Sequence, residues 1–237
     1  MKMRIMHWVH NTFEQPFGYL RIAGLVIAFV LIPLCIAYMI SPNPTRLHAE
    51  DGVIEWLSFG CWIVSILICF KALSRQNNRA DGLVFCWACL ICVLAAAREL
   101  DAQVLLNPKY LGQFGVRYKT IWFLSSEVSI LLRLFWFAFF LTIGGIIIWP
   151  LVVMRKAILW LIRSGDAAAG FLLLSFIGSA TGFVFDDILR ETAFLDIDLR
   201  QAIEETVELF GATFFLICIA SLLWKPFSER TGAIDSP

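Results

Sequence analysis

The chain has 237 residues, 59% of them hydrophobic, 14% aromatic and only 16% charged, and its 19 basic and 19 acidic side chains cancel to a formal charge of zero. With a mean hydropathy of +0.78, this excludes an ordinary soluble domain, and the lack of a basic domain to hold phosphates excludes nucleic acid as a partner. The composition is that of an integral membrane protein whose immediate partners are membrane lipids.

Six apolar segments reach the roughly 20 residues that a helix needs to cross a bilayer: 18–40, 53–73, 82–104, 128–152, 167–185 and 201–224. They predict an all-α fold, a polytopic bundle of six transmembrane helices, with residues 1–237 as a single membrane domain. The first segment lacks a small-residue cleavage site after a short apolar core, so it reads as a retained anchor rather than a removed signal peptide. Basic residues concentrate on one side of the alternating spans. Placing the N-terminus inside gives 11 basic against five acidic residues on the inner side, and eight basic against 14 acidic on the outer side. The positive-inside rule then puts both termini in the cytoplasm, with the bacterial inner membrane as the location and a cation-attracting outer mouth.

The second span opens with Glu50, Asp51 and Glu55, and the third closes with Arg98, Glu99 and Asp101. Within the third, Cys86, Cys89 and Cys92 repeat every three residues. In a span interior they read as a packing stripe of small apolar residues rather than as a redox pair, which needs an accessible edge. The connection 107–127 carries Tyr110, Phe114, Tyr118 and Trp122 at four-residue spacing with basic residues between them, the pattern of an interfacial helix. Arg133 enters the fourth span, where Thr142, Gly144 and Gly145 offer a close approach and Pro150 should kink or end the helix. A short stretch at 155–163, with Trp160, suits the cytoplasmic face. The fifth span has Gly178 and Gly182 four apart, a small-residue face against which another helix can pack. It ends in Asp186 and Asp187 with Arg190 one turn on, and the sixth span opens with Glu204, Glu205 and Glu208.

These outer-end groups are the site expectation, since ionisable residues at membrane depth turn toward a protein interior or a wet cavity. Asp51 and Glu55, like Glu204 and Glu208, are four apart and stack on one helix face. Like charges so placed need a proton, an arginine or a cation between them, with Arg98 and Arg133 as the counter-charges able to reach across helices. Glu55 and Glu208 lie deepest in their spans and carry the most weight. His48 with the surrounding carboxylates suits a hard divalent cation held by oxygen ligands. No zinc-protease, EF-hand, nucleophile-elbow or nucleotide-loop motif accompanies them. The runs E-D-G-V-I-E-W at 50–56, A-R-E-L-D at 97–101 and E-E-T-V-E-L at 204–209 resemble signatures of a family of six-span bacterial inner-membrane proteins, a resemblance that implies fold and location but no activity. Membrane hydrolases of the alkaline ceramidase type also gather polar groups at one end of a bundle. They rest on zinc-binding histidines in late helices, and the three histidines here, His7, His10 and His48, all precede the second span.

Three functional classes remain open at this point: an outward-facing pocket for a cation, a proton or a polar lipid headgroup; an intramembrane enzyme acting on a lipid or envelope substrate; and a non-catalytic partner or sensor whose charges form a structural network. A homo-oligomer is equally open.

Overall fold

The computed structural model describes residues 15–41, 47, 52–75, 78–100, 102, 123–124, 126, 128–185 and 196–231. Among these there are eight helices and no strand: α1 Gly18–Ile40, α2 Val53–Leu73, α3 Arg79–Glu99, α4 Ile130–Val153, α5 Arg155–Arg163, α6 Ala167–Phe183, α7 Ile197–Trp224 and α8 Phe227–Thr231. Five of them, α1 to α4 and α7, are long and apolar enough to cross a membrane. The α5 and α6 pair, bent by 103° at its junction, brings the number to six if it is counted as one span. By length and composition this is a multi-pass membrane protein.

Helix ends follow local chemistry more closely than hydropathy does. The third helix starts at Arg79, before its apolar run, because the Asn78 side chain accepts from the Ala80 amide (2.9 Å) and Asp81 occupies the first turn, where the helix dipole favours an acid. It stops at Glu99, five residues short of the apolar segment's end. In the same way α7 begins at Ile197, a full turn before its apolar run. Asp166 starts α6 by accepting from the amides of Ala168 (2.9 Å) and Ala169 (3.2 Å). Pro150 neither stops nor terminates α4, which continues to Val153 and turns at Met154. A proline so near the C-terminal end removes one hydrogen bond without enough helix beyond it to break.

The core is four helices. The α7 helix is central, packing along α6 on one side and α2 on another, while α3 forms a hairpin with α2. Burial explains the order. Eleven residues of α7 are buried, among them Ala212, Phe214, Phe215, Cys218 and Ile219. Helix α3 presents Phe85, Ala88, Cys92 and Ala96, a helical face that is nearly all small, to Cys69 and Ala72 of α2. The tightest approach is between α6 and α7. A Cβ on Gly178 would meet the Gly211 amide nitrogen and the Val207 carbonyl oxygen at 3.0 Å, and the Ser175 hydroxyl donates to the Gly211 carbonyl (2.8 Å). Small residues four apart let the two backbones touch, as expected for helices that lack a hydrophobic drive to associate within lipid.

Helices α1 and α4 stand outside this core. Only Gly18, Tyr19 and Ala23 of α1 are buried, with the Tyr19 ring seated on Gly170 and edge-on to Phe171 (6.0 Å). Of α4 only Trp136 is buried. Gly144 and Gly145, expected to admit a neighbouring helix, face open space instead. The cysteine repeat is also not one buried stripe: Cys92 is fully buried, while Cys86 is exposed. Three-residue steps rotate by about 60° per repeat on a 3.6-residue helix, so the outer members turn to different surroundings. All seven cysteines are free.

Candidate functional site

The chain direction places two sets of polar groups at opposite ends of the bundle. One end gathers the start of α2, the end of α3, the end of α6 and the start of α7, and with them Glu55, Arg98, Glu99, Glu204, Glu205 and Glu208. Arg98 crosses from α3 to α7, its Nη2 donating to Glu208 Oε1 at 2.5 Å. Glu208 is buried, only 8% exposed, while the arginine is half-exposed at 53%. A third helix completes the seat. The Cβ that Gly182 of α6 lacks would fall 2.6 Å from Glu208 Cγ, so the glutamate side chain lies in the space the glycine leaves.

The other carboxylates surround this pair. Glu99 lies within electrostatic reach of Glu208, Arg98 and Glu55, and within hydrogen-bonding reach of the Trp62 indole. Glu205 interacts with Glu208, Glu55, Glu204 and Glu99, and Arg98 also feels Glu99 and Glu204. Trp62 is itself fixed in the core against Phe215, with ring centroids 5.5 Å apart, so the Glu99 partner is rigidly held. Tyr38, near the end of α1, is within electrostatic reach of Glu205. Neither aromatic was expected from the sequence. An indole or phenol inside a span is chemically inconspicuous until the fold shows what stands beside it.

Arg133, anticipated as an alternative counter-charge, is used differently. Its Nη1 donates to the Phe123 carbonyl (3.1 Å), tying the start of α4 to the chain before it, and its Nε is buried with no hydrogen-bond partner among the described residues. Glu50, Asp51, Asp101, Asp186, Asp187 and Arg190, together with His48 and the 107–122 stretch, lie outside the described residues. Among the described residues, no three histidine, cysteine or acidic side chains are arranged to hold a metal ion.

The opposite end carries a second polar constellation that the site expectation did not include. Arg230 of α8 pairs with Asp166, donates through Nη2 to the Ser221 carbonyl (2.9 Å) and hydroxyl (3.0 Å), and through Nε to the Lys225 carbonyl (2.7 Å). Asp81 of α3 accepts from the Ser228 amide (2.9 Å) and hydroxyl (2.5 Å). The Phe17 amide donates to the Gly165 carbonyl (3.0 Å), joining the start of α1 to the same end. A signal for part of this was present, since an aspartate directly before A-A-A-G is an N-cap pattern.

Comparison with family models, with curated proteins and with solved structures returns no match to this chain.

Proposed function

We propose that this chain is a multi-pass protein of the bacterial inner membrane, both termini cytoplasmic, whose outward-facing acidic end takes up a small positive charge on Glu99 and Glu205. A single observation supports this reading: Glu99 of α3 and Glu205 of α7 lie within electrostatic reach of each other, of Glu55 and of Glu208, while Arg98 holds Glu208. At partial depth in a membrane, negative charges close to one another are costly, and a proton or a cation relieves them. Glu208, tied to Arg98 and seated over Gly182, is structural in this reading. Glu205 and Glu99 are the exchangeable groups. A proton is favoured over a multivalent metal because the described carboxylates do not form a coordinating set.

The test is infrared difference spectroscopy of the purified protein in nanodiscs between acidic and neutral buffer. The wild type should show a carboxylic-acid band that shrinks in Glu205→Gln and disappears in the Glu99→Gln/Glu205→Gln double variant. An unchanged band in the double variant rejects the reading in favour of a purely structural network. Should added sodium or magnesium raise the melting temperature of the wild type but not of Glu205→Gln, the charge is a metal cation instead. Orientation is tested separately by cysteine labelling at Ser74 and Asp196, with exposed native cysteines replaced. An impermeant reagent applied from outside should reach the second and not the first.

A further inference from the structure

A crevice of about 770 Å³ opens between α3, α4, α6 and α7, in the half of the bundle that ends at Asp81, Asp166 and Arg230. Its walls include Leu83 and Trp87 of α3, Ile146 and Trp149 of α4, Leu172 of α6 and Ile219 of α7. Arg230 also lines it, but that guanidinium is already engaged by Asp166, Ser221 and the Lys225 carbonyl. The crevice exists because α4 leans against the core rather than packing into it. Trp87 donates from Nε1 to the Ile147 carbonyl (2.9 Å) on its wall, and beside it Gly145 has no atom within 4 Å of where a Cβ would sit. Leu83, Ile146 and Trp149 on the rim are exposed, so the opening faces sideways, at the depth of the hydrocarbon.

An apolar void at that depth excludes water and forfeits dispersion contacts unless hydrocarbon fills it. What stands at its closed end specifies the rest of the occupant. Helix α5 covers that end with Ile158 and Leu161, and lies at 103° to α6, across the bundle rather than along it. Its outward face carries Arg155, Lys156 and Arg163 around the exposed Leu159 and Trp160, with no acidic residue on the helix. That combination is the pattern of an interfacial helix on an anionic surface. Arg155 and Lys156 follow directly on Met154, which lines the crevice.

We infer that this crevice is a binding site for one anionic phospholipid of the leaflet at the basic end, with an acyl chain between α3, α4 and α7 and the phosphate on Arg155 and Lys156. The inference concerns the opposite end of the molecule from the carboxylates and does not rest on their function. The occupant is selected by charge at its head and by shape along its tail, so the two can be removed separately.

The experiment places the purified full-length protein in phosphatidylcholine nanodiscs containing a trace of spin-labelled phosphatidylglycerol or spin-labelled phosphatidylcholine, and reads the motionally restricted fraction of each. The wild type should prefer the anionic lipid roughly tenfold or more, as expected for two basic contacts at the surface. Arg155→Gln with Lys156→Gln should bring that ratio close to one while leaving restricted lipid present. Gly145→Trp should lower the restricted fraction of both lipids and abolish the anionic preference, with the melting temperature unchanged or raised, since the added ring enters open space; Gly145→Leu serves the same purpose if the larger side chain prevents folding. Absence of an anionic preference in the wild type, its persistence in the double variant, or an unchanged restricted fraction when Gly145 is filled would each overturn the site. If filling Gly145 instead converts a dimer to a monomer in native mass spectrometry, the crevice is a contact between copies and the lipid proposal falls.

Discussion

The two ends of the bundle use the same device, an arginine paired with an acid on a distant helix, to opposite effect. At the basic end both members of the pair use all of their charged atoms. Asp166 caps α6 with one oxygen and holds Arg230 with the other, Arg230 spends its remaining donors on Ser221 and the Lys225 carbonyl, and both side chains of the pair are largely buried, at 7% and 15% exposure. At the acidic end Arg98 is half-exposed and pairs with Glu208, with Glu99, Glu204 and Glu205 in electrostatic reach of the pair and Glu55 in reach of Glu99 and Glu205. Saturation marks a joint. The acidic end instead gathers Glu55, Glu99 and Glu205 within electrostatic reach of one another, and the proposed uptake of positive charge rests on that grouping.

The largest expected effect belongs to the saturated end. Arg230→Met strands Asp166 beside the cap it still forms, and breaking a buried pair on one side costs about 3–5 kcal/mol. The variant should melt far below the wild type and accumulate poorly; a melting temperature within error of the wild type would show that α8 is not a joint. Arg98→Met should cost less, about 1.5–3 kcal/mol for a charged hydrogen bond and near the lower figure because the arginine is half-exposed. If Arg98→Met proves the more damaging of the two, the contrast between the ends is reversed. Gly182→Ala is next, at about 1–2 kcal/mol for overpacking, since its new methyl group would sit 2.6 Å from Glu208 Cγ and push the glutamate from its seat. Its effect and that of Arg98→Met should not add, because both act on the same side chain. Strict additivity in that double-mutant cycle would mean the glycine matters only for backbone approach.

How much of this was legible in the sequence depends on the kind of signal. Apolar length located the spans, and two of them, Gly18–Ile40 and Val53–Leu73, coincide with their helices at both ends. Where caps or polar first turns extend a helix beyond its lipid-facing stretch, as at Asn78 and Ile197, hydropathy alone stops short. Glycine spacing marked α6 as a helix that another can approach closely, and the packing makes that helix α7. The same reasoning failed at Gly144 and Gly145, where nothing packs. A glycine permits a close approach without requiring one, and which helix comes near depends on the whole bundle. Charge counting pointed to the ends of α2, α3 and α7 that carry Glu55, Glu99 and Glu205, three groups within electrostatic reach of one another. It could not say that Arg98 rather than Arg133 would cross to Glu208, since both arginines sit within a turn or so of a span end and only the packing of α3 on its neighbours decides between them. The joint at Asp166 and Arg230 was hidden for a related reason: two residues 64 apart give no local pattern that links them.

The smallest expected change in stability is the most telling. Glu205 shares its surroundings with four other acids and has no ion pair among the described residues. Glu205→Gln keeps the shape, removes one like charge and breaks no such pair, so its stability should stay within about 0.5 kcal/mol of the wild type, with any shift being a gain. Glu208→Gln offers the contrast four residues along the same helix. It leaves Arg98 without its anion and should lose stability comparably to Arg98→Met. Thermal melts of the two glutamine variants, measured side by side in one detergent, therefore sort the acidic end into a carboxylate the fold depends on and one it does not. Equal destabilisation by both substitutions would mean that the glutamates act as one structural network, and the grounds for a binding role would disappear with that result.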